Sequence, residues 1–183
     1  VLVPSVMPNS AITVRTGSRL HFGMFTHRPS SGRAFGGLGV MVAEPGWSVT
    51  LQRAETDRIE VTPAVSQLCP VAAQRVTEFL QRVRRSMLLG PVQVSVTSAI
   101  PSHQGLGSGT QLGLAIARAA AELLDQKLSA MELALLVERG RRSAVGIWGF
   151  EQGGFIVDGG KPSEAEIGTL LMRLPMPSEW CFV

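Results

Sequence analysis

The sequence has 183 residues, of which 45% are hydrophobic and 17% charged, a composition that permits a buried core and argues against disorder. Lysine and arginine number 17 against 14 aspartates and glutamates, an excess too small to argue for nucleic-acid binding on its own. No uncharged apolar run approaches the roughly 18 residues of a membrane span, residues 1–10 do not resemble a signal peptide, and Cys69 and Cys181 lack metal-ligand spacing. These features predict a cytoplasmic protein of about one domain.

The first third of the sequence predicts β-structure. Its strand-like apolar runs are 11–25, 38–43, 47–51 and 58–61. The first run is interrupted at Gly17, residues 44–46 (Glu-Pro-Gly) predict a turn between the second and third runs, and Asp57 marks a turn before the fourth. We therefore expect several short strands joined by turns.

The middle of the sequence predicts helices on either side of one strand. Apolar residues recur every three or four positions over 66–87, which predicts a single helix that ends before a Gly-Pro pair. Valines alternate with polar residues over 92–96, as in a half-buried strand. Two more helices are expected, over 108–124 and 129–139.

The end of the sequence adds short strands. Ser129 and Glu132 form a capping-box pattern at the start of the last predicted helix. A buried strand is expected within 153–160, and further strands at 170–174 and 180–183. Because strands and helices do not alternate regularly, the order favours an α+β fold with a mixed sheet over a doubly wound one.

A glycine-rich segment, GLGSGT at 105–110, separates the strand that ends near Ile100 from the helix that begins near Ser108. A helix start presents N–H groups without intrahelical partners and a partial positive charge, and glycines let the backbone approach an anion closely. We therefore expect a phosphate-binding loop, to which the Ser108 and Thr110 hydroxyls contribute. The alternative is a tight turn that allows close helix packing, which Gly113 favours. The spacing matches neither the Walker nor the Rossmann motif.

Several segments of the sequence resemble one superfamily. The segment PSHQGLGSGTQLGLAIA is similar to the P-x-x-x-G-L-G-S-S phosphate-loop motif of the GHMP kinase superfamily. Four segments are similar to one family of that superfamily, the β-ribofuranosylaminobenzene 5′-phosphate synthases, and occur in the same order as in that family. They are SRLHFGMF (18–25), FGGLGVMV (35–42), GLGSGTQLGLAIARA (105–119) and RSAVGIWGFEQGGFIVDGG (142–160). The resemblance covers most of the chain.

The resemblance implies a fold and a domain division. The fold is an α+β domain like ribosomal protein S5 domain 2, a GHMP N-terminal domain with a mixed sheet and helices on one side. Residues 1–160 are assigned to this domain with its phosphate loop. Residues 161–183 are assigned to the start of a connection to a C-terminal domain that we expect to be absent from this chain.

The resemblance also implies a reaction. The family joins 5-phosphoribosyl 1-diphosphate to 4-aminobenzoate or 4-hydroxybenzoate, with loss of pyrophosphate and carbon dioxide, on the way to tetrahydromethanopterin. It implies Mg²⁺ as cofactor and no organic cofactor, small-molecule substrates, and no nucleic-acid or membrane partner, and it allows a homodimer. Two alternatives stay open: an ATP-dependent GHMP-type small-molecule kinase, and a truncated, non-catalytic binding or assembly domain.

One departure from the superfamily pattern favours the synthase over the kinase. GHMP kinases typically carry an aspartate where this sequence has Trp148 and Gly149. Without it, phosphoryl transfer from ATP loses its obvious agent for deprotonating the substrate hydroxyl. Glu151 is the nearest acid that could substitute.

The resemblance and the needs of phosphoribosyl transfer together give candidate site residues. The catalytic candidates are Arg19, His21 and Glu151. The phosphate-binding candidates are His103, Gly105, Leu106, Gly107, Ser108, Gly109, Thr110 and Arg142. Asp158 is the candidate magnesium ligand, because Mg²⁺ prefers hard carboxylate oxygens. Simpler roles stay open, since His21 can cap the sheet and Asp158 can form a turn.

Overall fold

The structure is a computed structural model that describes residues 11–25, 33–162, 167–177 and 179–182. The elements in these ranges are β1 (Ile12–Phe25), β2 (Gly36–Arg53), β3 (Arg58–Val61), α1 (Pro63–Leu68), α2 (Ala72–Arg84), β4 (Val92–Ser98), α3 (Ser108–Leu123), α4 (Ala130–Leu136), α5 (Val145–Gln152), β5 (Phe155–Asp158) and β6 (Leu170–Leu174). Within the described ranges, no helix has both the length and the apolar character needed to cross a bilayer.

One mixed sheet carries the fold, as the sequence predicts. Its strands follow the order β3-β4-β2-β5-β6, and β1 also pairs with β2. The β3–β4 pair is parallel and the other pairs are antiparallel. The long strand β2 is central: residues 48–53 pair with β4, and residues 37–40 pair with β5. Strand β4, which precedes the glycine-rich segment, and strand β5, which ends at Asp158, are therefore both fixed to β2.

The predicted turn at 44–46 is wrong, because β2 continues through it as one strand of 18 residues. Ser18 pairs with Val42, whereas the next pair toward the start of β1 involves Trp47. The intervening residues of β2 thus form a bulge opposite Gly17. A Cβ atom at Gly17 would lie 2.1 Å from the Val42 carbonyl oxygen, so the close approach of the strands requires glycine.

The helices pack on the sheet face that carries Trp47, Val49 and Leu51, all of them buried. Helix α3 is buried along nearly its whole length. A Cβ atom at Gly113 would lie 2.9 Å from the Phe79 ring, so this glycine does allow close packing of α3 on α2. The indole N–H of Trp47 donates to the Ser108 carbonyl at 3.0 Å. The start of α3 is therefore tied directly to the sheet.

Several element boundaries differ from those predicted. The expected helix over 66–87 is two helices, α1 and α2, separated at Cys69–Val71, because Pro70 cannot continue a helix. The helix α5 was not predicted. Residues 180–182 do not form the expected strand, and Val183 lies outside the described residues. The other helices and strands fall within a few residues of their predicted positions, and the Ser129–Glu132 capping box is present.

Candidate active site

The loop between β4 and α3 forms an open helix start. Gly107, the N-cap residue, has a φ of 74°, a left-handed conformation that favours glycine. No side chain in the described part of the chain caps α3, and the first N–H groups of a helix have no intrahelical partner. The loop is anchored to the residue that follows α1, since the Ser102 hydroxyl donates to the buried Cys69 sulfur at 2.9 Å. The loop therefore has the geometry of an anion cradle.

Three arginines from different elements surround this cradle: Arg19 from β1, Arg75 from α2 and Arg139 from the end of the α4 segment. Together with the glycine loop they line a cavity of about 430 Å³, which we call the loop cavity. A Cβ atom at Gly109 would lie 3.4 Å from Arg139 Nη2 and 3.7 Å from Arg75 Nη1. The guanidinium groups thus face the first turn of α3.

Two of these guanidinium groups have unused donors. The Nε atoms of Arg19 and Arg139 are buried and have no hydrogen-bond partner in the part of the chain that the structure describes. Burial lowers the pKa of both arginines. Arginine nevertheless stays charged at physiological pH, so the site holds partly desolvated cations whose natural complement is an anion.

A second cavity of about 600 Å³, the acceptor cavity, adjoins the first and shares Arg19, Gly105, Thr110 and Arg139 with it. Its other walls are His21 and Met24 of β1 and the loop of residues 138–143. Three arginines and Glu78 line the loop cavity, and four arginines and Glu138 line the acceptor cavity, so both cavities carry an excess of positive charge.

A chain of hydrogen bonds runs from the acceptor cavity into the protein. His21 Nε2 lies 3.2 Å from Ser143 Oγ, and the Ser143 hydroxyl donates to Asp158 Oδ2 at 3.4 Å. Asp158 is 3% exposed and also accepts from the Ala144 N–H at 2.6 Å and the Gly160 N–H at 2.9 Å. Burial raises the pKa of Asp158, opposed by these hydrogen bonds. The pKa of His21 is lowered by burial and by Arg19, opposed by Asp158.

The structure brings most of the predicted site residues together. The predicted residues that line the loop cavity are Arg19, His103, Gly105, Leu106, Gly107, Ser108, Gly109 and Thr110. His21 and Arg142 line the adjoining acceptor cavity. Ser108 is 7% exposed and its hydroxyl donates to the Ile100 carbonyl at 3.2 Å, so its side chain supports the loop rather than facing an anion.

Two predicted residues lie elsewhere. Glu151 accepts from the Ala130 N–H at 3.2 Å and lies 3.7 Å from Arg118, so it stabilises the start of α4 and lines neither cavity. Both carboxylate oxygens of Asp158 accept hydrogen bonds from N–H groups. Among the described residues, no group of three or more His, Cys, Asp or Glu side chains could hold a metal ion. The catalytic role of Glu151 and the metal role of Asp158 stay predictions that this geometry does not favour.

Sequence reasoning missed the three charged residues Arg75, Glu78 and Arg139 that line the loop cavity. Arg75 and Glu78 fall on a helix whose sequence looks like an ordinary amphipathic surface element. Arg139 belongs to a basic cluster that is equally typical of a solvated helix end. These three residues are identified only by the way in which α2 and the segment after α4 pack around the start of α3.

The fold and the glycine loop define a class of protein. Residues 72–154, from the start of α2 to the residue before β5, match the family described as GHMP kinases N terminal domain. This part of the chain, a little under half of it, therefore resembles the N-terminal domain of the GHMP kinase superfamily, as the phosphate-loop motif predicts.

Within that superfamily, the chain is related to proteins named beta-ribofuranosylphenol 5′-phosphate synthase, which confirms the resemblance seen in its motifs. It is 35% identical over 183 residues to the protein of that name from Methanothermobacter thermautotrophicus, covering 92% of this chain and 56% of the relative. It is 33% identical over 181 residues to the Archaeoglobus fulgidus protein, covering 92% and 55%. A homoserine kinase from Halobacterium salinarum is 30% identical over 116 residues, or 63% of this chain and 38% of that kinase. The chain spans about half the length of the curated relatives that it matches.

Solved structures of kinases share the fold. A homoserine kinase from Cytophaga hutchinsonii has a TM-score of 0.61 at 22% identity, over 97% of this chain and 55% of that one. A mevalonate kinase from methicillin-resistant Staphylococcus aureus has a TM-score of 0.60 at 15% identity, over 91% and 57%. At these identities the likeness concerns the fold alone, and it confirms the predicted GHMP-type α+β domain.

Proposed function

We propose that this chain binds the substrates of a synthase that joins 5-phosphoribosyl 1-diphosphate to an aromatic acid. The observation that carries the proposal is that Arg19 and Arg139 line the loop cavity beside an uncapped helix start, each with a buried Nε that has no partner among the described residues. The adjoining acceptor cavity has room for an aromatic ring. The names of the curated relatives supply the product class, a ribofuranosylphenol 5′-phosphate.

The pyrophosphate of the donor is assigned to the loop cavity. There it would accept hydrogen bonds from the first N–H groups of α3 and forked, charge-assisted bonds from Arg19 and Arg139. Burial has already removed part of the water from these two guanidinium groups, which reduces the further desolvation that binding requires. The same groups would stabilise the negative charge that grows on the departing pyrophosphate.

Mg²⁺ is proposed to accompany the pyrophosphate, whose charge it would neutralise when bound. This ion usually keeps several waters and takes one or two protein carboxylates together with substrate phosphates. Glu78 lines the loop cavity and offers such a carboxylate. It fits this role better than Asp158, whose oxygens are occupied by N–H donors. We propose no organic cofactor.

The aromatic acid is assigned to the acceptor cavity. Arg141 and Arg142 line this cavity and can bind a carboxylate or the 5′-phosphate of the donor. His21 and Met24 provide a wall of mixed polarity for the ring. Because the relatives are named for a phenol product, we propose 4-hydroxybenzoate as the preferred acid over 4-aminobenzoate.

The proposed reaction forms one bond and breaks two. The ring carbon that bears the carboxylate attacks C1 of the ribose, and the bond from C1 to the pyrophosphate oxygen breaks with its electron pair leaving on the pyrophosphate. The bond between the ring and the carboxylate then breaks, its electron pair restores the aromatic ring, and carbon dioxide departs. The protein needs only to hold the two reactants in line and to stabilise the leaving group.

An ATP-dependent kinase is the less supported alternative. Trp148 occupies the place where a kinase would carry an aspartate, and its indole N–H donates to the Gly168 carbonyl at 2.8 Å. Glu151, the nearby acid, is directed toward α4 and lines neither cavity.

Release of pyrophosphate and of carbon dioxide from a carboxyl-labelled acid tests the proposal directly. With 5-phosphoribosyl 1-diphosphate and Mg²⁺, 4-hydroxybenzoate should give both products in equal amounts, and ATP with homoserine should give no ADP. Donor binding without turnover would instead identify a non-catalytic binding domain. Formation of ADP in the presence of homoserine would identify a kinase.

A further inference from the structure

The hydrogen-bond chain at the acceptor cavity fixes the state of the His21 ring. The Gly23 N–H donates to His21 Nδ1 at 3.3 Å, so Nδ1 carries no proton and the proton lies on Nε2. Nε2 therefore donates to the Ser143 hydroxyl oxygen, which also accepts from the Val145 N–H at 3.3 Å. With both lone pairs occupied, the Ser143 proton is directed to Asp158.

This arrangement suits a proton acceptor. The carboxylate of Asp158 is linked through Ser143 to one nitrogen of the imidazole and can stabilise positive charge on the ring. Among the described residues, the other nitrogen, Nδ1, has one long contact, to a backbone N–H two residues away. His21 itself lines the acceptor cavity. A ligand in that cavity reaches Nδ1 by displacing this contact.

The proposed reaction creates a need for such a group when the acceptor is a phenol. Attack by the ring carbon places positive charge on the hydroxyl oxygen opposite to the carboxylate, and loss of the hydroxyl proton relieves that charge. An amine in the same position can hold the charge as an iminium without losing a proton. A base is therefore much more important for 4-hydroxybenzoate than for 4-aminobenzoate.

We propose that His21 is the general base for a phenolic acceptor, with Ser143 and Asp158 as positioning residues; this inference rests on the proposed function. His21 Nδ1 takes the proton of the para hydroxyl as the carbon–carbon bond forms, which gives a neutral dienone that still bears the carboxylate. After carbon dioxide leaves, the ring is a phenolate and takes the same proton back. No net proton is gained or lost, and no redox partner is needed.

The charges around His21 set the pH dependence. Burial, and then Arg19 on the same strand, lower the pKa of His21, whereas Asp158 on β5 raises it. The charged groups that line the same cavity are Glu138, Arg139, Arg141 and Arg142. Since the net effect lowers the pKa of His21 below its ordinary value of about 6.5, the ring is mostly neutral at neutral pH. Turnover of 4-hydroxybenzoate should therefore be constant above neutrality and fall as the pH decreases below His21's pKa.

His21→Gln gives a selective test, because glutamine can still bond to Ser143 but cannot accept a proton. Turnover should fall about 100- to 10,000-fold with 4-hydroxybenzoate, the usual contribution of a general base, and by less than about tenfold with 4-aminobenzoate. Pyrophosphate affinity should not change. Equal losses with both acids would overturn the proposal and leave His21 a packing residue.

Nitrogen NMR of the His21 ring gives a readout that does not depend on activity. We expect the Nε2–H tautomer in the unaltered chain, and a lower His21 pKa in Ser143→Ala, because that variant interrupts the link to Asp158. An Nδ1–H tautomer, or an unchanged pKa in Ser143→Ala, would contradict the proposal even if His21→Gln failed to fold. Absence of pyrophosphate release with either acid in the unaltered chain would instead overturn the proposed function.

Discussion

Arg139 holds a cation in surroundings that disfavour it. Its guanidinium lies 5.0 Å from the centre of the Phe79 ring, and its buried Nε has no partner among the described residues. Burial, Arg82 and Arg75 lower its pKa, while Glu78 and Glu138 raise it. A buried cation without an acceptor lowers stability, whereas the same cation raises affinity for an anion.

Replacement of this arginine should therefore separate binding from stability. Arg139→Gln should weaken pyrophosphate binding by about 1.5–3 kcal/mol, the range for hydrogen bonds to charged groups. The melting temperature without ligand should change little, because the loss of the contact with Phe79 is offset by the removal of a partly buried cation whose Nε has no partner among the described residues. Calorimetric titration and thermal melting measure the two effects.

Arg58→Gln is the matched control. Arg58 is exposed on β3, pairs with Glu60 at 2.7 Å and lines neither cavity, so the variant removes the same charge at a distance. An equal loss of pyrophosphate affinity in both variants would show that net charge, and not the loop cavity, governs binding.

At the scale of elements, the turn from β4 into α3 is the feature on which anion binding depends. Gly109 lies in the first turn of α3, and a Cβ atom there would meet Arg139 and Arg75 at ordinary contact distance. Gly109→Ala should thus place a methyl group where the anion and the guanidinium groups meet, without backbone strain. We expect at least a tenfold loss of pyrophosphate affinity, about 1.4 kcal/mol, at an unchanged fold.

Gly90→Ala serves as the control for Gly109→Ala, because a Cβ atom at Gly90 would meet nothing within 4 Å. Amide spectra of both variants should match that of the unaltered chain away from the substitution. Full pyrophosphate affinity in Gly109→Ala would mean that the anion binds elsewhere and that the loop serves only to pack α3.

The elements that the sequence predicts well are those with one buried face. Alternation identifies β4, and the Ala-rich, three-to-four-residue spacing identifies α3, because burial imposes a period on each. Residues 44–46 have the sequence of a turn, but they form a bulge within β2. The sequence around them does not predict the bulge, because Gly17, which lies opposite to it, belongs to another strand. The arginine cluster could not be predicted either, since Arg75 and Arg139 meet only after α2 and α4 pack beside α3.

For the whole molecule, strand β1 sets the relation between the two cavities. Arg19 and His21 lie two residues apart on it, and Arg19 lines both cavities while His21 lines the second. The donor and the acceptor can thus meet across a single strand.

Five predictions about the whole protein stay predictions. They are Mg²⁺ as cofactor, a cytoplasmic location, a homodimer, the place in tetrahydromethanopterin biosynthesis and the division of the chain at residue 160.

The hydrogen bond between the Ser102 hydroxyl and the Cys69 thiol makes Cys69 a reporter of motion in the loop between β4 and α3. Cys69 is fully buried where the glycine loop begins, whereas Cys181 is exposed. A thiol-reactive dye should label Cys181 at once and Cys69 only when the loop lifts. Bound pyrophosphate should then slow the labelling of Cys69 by the factor 1 + [L]/Kd and leave Cys181 unaffected. An unchanged labelling rate of Cys69 in the presence of pyrophosphate would mean that the thiol becomes exposed by a motion independent of the loop. A slower rate would let a single kinetic trace report occupancy of the loop cavity without any substrate turnover.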